Sequence, residues 1–167
     1  LNNSKDDNEK LFILNRLMEL FRTTTYRQTM FASFEKEIYD KSEKGEILTP
    51  DVMCDIYYNL NKKYFGDGVI VDDEIRYEWE RVPHFYYNFY VYKYATGLAS
   101  ACFIVNRILN GEEHAVLDYL EFLKTGGRDY PVEELKIAGV DISRKEVIES
   151  SIKMFNNIID EFQELYK

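Results

Sequence analysis

The stretch SRKEVIESSIKMFNNIIDEFQEL, residues 143–165, decides the fold class. Within it Val147, Ile148, Ser151, Ile152, Phe155, Ile158, Ile159, Phe162 and Leu165 recur at three- and four-residue steps, which gives a helix one apolar face. Ser143-Arg-Lys-Glu146 predicts a capping box at its start, serine and glutamate each satisfying a free backbone N–H. The same period runs through Leu11, Leu14, Met18, Phe21, Met30, Phe34 and Ile38, predicting one long helix after the polar residues Asn2–Glu9 and before Gly45. Thr23-Thr24-Thr25 weakens that helix locally, because β-branched side chains lose rotamer freedom there. Thr49 as N-cap and Pro50 at the first helical position begin another, which runs to about Tyr64 before Gly66 and Gly68. Residues 66–84 read as an irregular connection with a short helix near Glu74–Glu80, closed by Pro83. A helix from Phe85 to Leu109 is apolar on every face and is expected to be buried on all sides. Helices at 112–124 and 131–138 end at Gly126-Gly127 and Gly139. No internal repeat or low-complexity segment appears, and the expected architecture is a single all-α piece spanning 1–167.

Composition narrows the function classes. With 46% hydrophobic and 31% charged residues the chain is globular in kind, not disordered or collagen-like. Its net charge of −9, with no basic run, argues against nucleic acid or an anionic membrane as partner, since both are held by clustered positive charge. Cys54 and Cys102 form no CxxC pair, so neither a disulfide framework nor a zinc knuckle is indicated, and a reducing cytoplasm fits. The longest apolar run, Ala99–Val105, is far short of a membrane span. Leu1 in place of methionine is expected to mark the cut edge of a longer chain.

Between Arg81 and Gly111 there is no aspartate or glutamate, where a uniform spread would place about five or six. Into this gap falls Pro83-His84-Phe85-Tyr86-Tyr87-Asn88-Phe89-Tyr90-Val91-Tyr92-Lys93-Tyr94. One reading is a core helix whose tyrosine hydroxyls each find a partner. The other is a wall of neutral donors, phenol O–H and imidazole N–H, facing an electron-rich substrate atom. On a helix Tyr87 and Tyr90 share a face and Tyr94 extends it, while His84 sits just ahead where a loop can aim it. Lys93 and Arg81 are candidates to attract a carboxylate such as a peptide C-terminus. The acidic pairs Glu35/Glu37, Glu112/Glu113 and Glu133/Glu134 read as solvated helix faces and ends. His114 has no second histidine at i+4, and neither His-Glu-x-x-His nor a phosphate-binding glycine motif occurs. Tyr64, Tyr77 and Phe103 read as core.

Four segments carry a resemblance: Phe21–Glu35, Leu60–Gly66, Val82–Gly97 and Ala138–Ile142. Together they resemble the C-terminal part of the oligoendopeptidase F family, helical zinc metallopeptidases of the zincin type related to thimet oligopeptidase. The resemblance implies a cytoplasmic peptidase that cleaves short peptides in a deep cleft. It implies a Zn2+ held by a His-Glu-x-x-His helix and a further glutamate, both upstream of this chain, which itself is expected to bind no metal and to be inactive alone. The upstream part of the same polypeptide and short peptide substrates are the implied partners. His84, Tyr87 and Tyr90 are implied as catalytic donors to the attacked carbonyl, and Tyr86 and Tyr94 as substrate-binding residues. Which tyrosine is the oxyanion donor stays open among Tyr86, Tyr87, Tyr90 and Tyr94. A non-catalytic helical module that binds a peptide or protein is the alternative.

Overall fold

A computed structural model describes residues 4–167, so the expectations at Leu1 and Asn2 lie outside the described residues. The chain is all-α, with no strand among the described residues. Helix α1 (Asp7–Phe21) is followed by a π-helical turn (Arg22–Tyr26), α2 (Arg27–Glu43), α3 (Pro50–Phe65) and two 3-10 turns (Asp73–Arg81, Pro83–Tyr86). Then come α4 (Tyr92–Leu109), α5 (Ala115–Lys124), α6 (Pro131–Ile137) and α7 (Lys145–Leu165). None of these helices is long and apolar enough to cross a membrane. The residues group into two compact units, Thr23–Ala95 and the stretch before Thr23 together with Thr96–Lys167.

In the Thr23–Ala95 unit, α2 packs on α3, and α3 on the 3-10 turn Asp73–Arg81. Met30, Phe31, Phe34 and Ile38 of α2 are buried with Ile56, Tyr57, Val82, Phe85 and Val91. Thr49 caps α3 as expected, its side chain accepting from the Val52 N–H at 3.3 Å. In the other unit α1 packs on α7 and α5 on α6. Leu14 and Phe21 meet Cys102 and Ile158 there, and Ala99 and Ile104 meet Ala138, Val140 and Val147. Arg107 ties the second cluster down, donating to the Ala138 carbonyl at 2.7 Å and pairing with Glu112 and Asp118. Cys54 and Cys102 are both buried and free.

Several sequence expectations need correction. The first helical run extends to Glu43 as expected but carries a π-helical turn at the threonine run, where β-branched crowding weakens the regular i→i−4 ladder. The short helix expected near Glu74–Glu80 is present, as a 3-10 helix over Asp73–Arg81. The capping box does not form: Ser143 lies inside a turn closed by the Arg144 N–H donating to the Asp141 carbonyl (3.0 Å), its own N–H and hydroxyl both donate to Asp141 Oδ1 (3.2 and 2.6 Å), and Arg144 becomes the N-cap. Helix α5 starts only at Ala115, after His114 in the left-handed region. Tyr77 is exposed, not core. The largest correction concerns the helix expected from Phe85, which begins at Tyr92 and leaves Tyr92, Tyr94, Val105 and Leu109 exposed.

Candidate functional site

The delayed start of α4 builds the site. Pro83 opens a 3-10 turn that ends as the Tyr87 N–H donates to the His84 carbonyl at 3.0 Å. Asn88 and Phe89 then adopt φ of 53° and 60°, the left-handed region that side-chain-bearing residues avoid at a cost of about 1 kcal/mol or more each. Helical geometry is impossible through this pair, so the backbone reverses before it resumes at Tyr92. Three anchors hold the turn. Phe85 is buried against Phe31 and Phe34 (ring centroids 5.4 and 5.0 Å), and Val91 is buried on the far side. Between them the Phe89 N–H donates to Glu35 Oε1 of α2 at 2.7 Å, and the Phe89 ring packs on Tyr39 at 4.7 Å.

With its core-facing positions committed to anchoring, the segment leaves its tyrosines exposed. His84, Tyr87, Tyr90 and Tyr94 gather into one ring cluster with Tyr90 at its centre. Tyr90 stacks on His84 (5.6 Å, 26°) and meets Tyr87 and Tyr94 edge-on at 6.1 and 5.6 Å. His84 also touches Tyr87 and Tyr94 edge-on. Lys93 Nζ lies 5.1 Å over the Tyr90 ring. The neighbouring Tyr90 hydroxyl pushes the Tyr94 phenol above its ordinary range. Of the five residues singled out from the sequence, four are thus brought together. Tyr86 is the most exposed of the segment's tyrosines and makes no ring contact among the described residues. The sharing of a face by Tyr87 and Tyr90 is achieved by the turn and not by a helix. Arg81, a candidate for attracting a carboxylate, pairs with Glu78 while its side chain stays mostly exposed.

Two carboxylates escaped the sequence reading. Glu35, taken for a solvated residue, is fully buried, and burial pushes its carboxyl above the ordinary range while the Phe89 N–H pulls it back. Its position was legible, since it stands four after Phe31 and three before Ile38, inside the apolar stripe of α2. Glu78 is the second. Burial pushes it up, but hydrogen bonds from Tyr57 Oη (2.6 Å) and Arg27 (2.5 Å) outweigh that and hold it below the ordinary range. A cavity of about 580 Å³ beside Glu78, lined by Asn61, Phe65, Ile70 and Tyr77, involves none of the cluster's rings. Among the described residues no group of three histidine, cysteine, aspartate or glutamate side chains can hold a metal ion. These residues therefore do not fit a zinc site. The cluster brings the donor-bearing side chains of His84, Tyr87, Tyr90, Tyr94 and Lys93 within ring-contact distance of one another.

The sequence profile of Peptidase family M3 matches residues 1–154. The chain belongs to peptidase family M3. Among M3 relatives, Oligopeptidase PepF of Bacillus subtilis (strain 168) is 52% identical over 99% of this chain and 25% of its own length. The plasmid-borne Oligoendopeptidase F of Lactococcus lactis subsp. cremoris is 41% identical over 99% of this chain and 28% of its own. The crystal structure of oligoendopeptidase-F from Enterococcus faecium superposes with a TM-score of 0.95 at 43% identity, covering 99% of this chain and 32% of that one. The chain thus spans about a quarter to a third of the length of these M3 proteins.

Proposed function

We propose that this chain serves within a longer M3 metallopeptidase that hydrolyses short peptides, and that the His84–Tyr94 cluster is its donor wall. In this reading the Tyr90 phenol donates to the oxygen of the attacked carbonyl, and the His84 N–H and Tyr87 hydroxyl approach the same oxygen. Tyr94 and Tyr86 take backbone groups of the peptide. The observation that supports this most is the centrality of Tyr90, which packs on His84, Tyr87 and Tyr94 and lies under Lys93 in a stretch free of acids. As a carbonyl becomes tetrahedral its oxygen gains negative charge, and fixed donors stabilise that charge more than they stabilise the ground state.

Metal ligation is no task of these residues. The zinc that the family resemblance implies belongs to another stretch of the polypeptide, along with activation of the attacking water, and the 167 residues alone are inactive in this reading. The two buried free thiols, Cys54 and Cys102, accord with a reducing cytoplasm.

The test is Tyr90→Phe in a polypeptide carrying this segment at the full length of its relatives. Loss of one oxyanion donor typically lowers kcat about 10²–10³-fold, and that is the expected effect, with metal content unchanged. Kinetics identical to the parent would sink the assignment. A variant that loses peptide affinity but has no hydrolysis to lose would instead favour a binding module.

A further inference from the structure

We propose that Glu35 is the positioning residue of the donor cluster: its buried carboxylate accepts the Phe89 N–H and thereby fixes the left-handed turn that sets Tyr90 against His84. The inference rests on the reading of the cluster given under Proposed function. One face of α2 grips the segment at successive points, Phe31 and Phe34 holding Phe85 before the turn and Glu35 holding its middle. The middle is where a grip is needed. Asn88 and Phe89 sit at positive φ, a conformation that a bulky residue keeps only when its surroundings over-determine it. Both are exposed, so water competes for their backbone groups. At 2.7 Å, the bond from the Phe89 N–H to Glu35 is a short one to a fully buried acceptor that water does not screen.

The carboxylate is a poor choice for packing alone. Its other oxygen, Oε2, is buried with no hydrogen-bond partner among the described residues. An apolar side chain of the same size would fill the space without that penalty. What only an acceptor provides is the hold on Phe89, and Tyr90 is the next residue along. Glu35 touches no substrate in this scheme and acts through the turn.

Glu35→Met keeps the volume and removes the acceptor, Glu35→Asp retracts the acceptor by one methylene, and Glu35→Gln retains it as an amide oxygen. The readout on the 167-residue chain is the pair of His84 imidazole proton signals in NMR, displaced by the ring current of the stacked Tyr90. His114 is the other histidine, so assignment by difference is direct. Glu35→Met and Glu35→Asp are expected to move the His84 signals toward those of an exposed imidazole, and Glu35→Gln to leave them in place. In the full-length polypeptide Glu35→Met should lower kcat about tenfold or more with little change in KM, and Glu35→Gln should restore it to within about threefold, as suits a misplaced donor. Unmoved His84 signals in both Glu35→Met and Glu35→Asp would overturn the proposal whatever the kinetics. Moved signals with unaltered hydrolysis would uphold the positioning role and count against the donor reading instead.

Discussion

Glu35 and Glu78 are two buried carboxylates of one unit, and they solve the same problem in opposite ways. Glu78 collects donors: the Tyr57 hydroxyl, Arg27 and Arg81 all converge on it, and its carboxyl is held below the ordinary range. Among the described residues Glu35 has a single donor, the Phe89 N–H, and an oxygen left without a partner, and burial pushes its carboxyl up. The first arrangement joins α2, α3 and the 3-10 turn Asp73–Arg81 and is stabilising in itself. The second gains little for the carboxylate but holds a backbone conformation that would not otherwise persist. A buried charge well supplied with donors thus marks a structural joint, whereas an under-supplied one facing a strained turn marks a device for geometry.

The contrast breaks most visibly at Glu78. Glu78→Ala should destabilise the 167-residue chain by about 3 kcal/mol or more, because Tyr57 Oη is left buried without an acceptor and Arg27 is left unpaired in a mostly buried place. Glu35→Gln, by contrast, should stay within about 1 kcal/mol of the parent, since it relieves a burial penalty while keeping the acceptor. Urea-unfolding midpoints at constant slope measure both. Equal losses would show that the two carboxylates do the same work. A smaller effect is expected of Tyr57→Phe, about 1–2 kcal/mol, because Glu78 keeps two guanidinium partners when the phenol is gone. A loss as large as that of Glu78→Ala would mean that the tyrosine, and not the arginines, carries the joint.

The sequence conveyed the two patterns unequally. Helix positions followed from periodicity, and the starts at Pro50 and Pro131 from proline's fixed φ, because these depend on local physics that a single strand of residues expresses. The donor segment stood out because aromatic side chains and an absence of acids are compositional. Its conformation did not. Residues 85–91 read as the start of a helix apolar on every face, yet Asn88 and Phe89 are held out of the helix by a glutamate more than fifty positions away. Such tertiary override is invisible to a local reading. Glu35 and Glu78 were hidden for the same reason: a charged residue is presumed solvated until its partner is known, and here the partners are distant in sequence. Ser143 shows the rule at short range, where a turn closed by Asp141 and Arg144 moves the helix start and defeats a motif that the spacing alone supports.

The smallest effect is also the one that separates the two glutamates by sign. For Glu78 the folded state lowers the carboxyl below its ordinary 4.5, so the unfolded chain binds more protons as pH falls. Its contribution is in place above 4.5 and is lost as the solution is acidified through the lowered folded value. For Glu35 the folded state raises the carboxyl above 4.5, so the folded chain binds more protons in the window that opens there. Its contribution is full below 4.5 and is lost as pH rises through the raised value. Measured against the parent, Glu35→Gln should therefore gain relative stability as pH climbs from 4.5 toward neutrality. Glu78→Gln should lose relative stability as pH climbs toward 4.5 from the acid side and level off above it. Unfolding midpoints of both variants and the parent, taken at matched pH values across this range, give the two slopes directly. Slopes of one sign would erase the distinction between joint and positioning device, and opposite slopes would locate it in the proton inventory of two side chains.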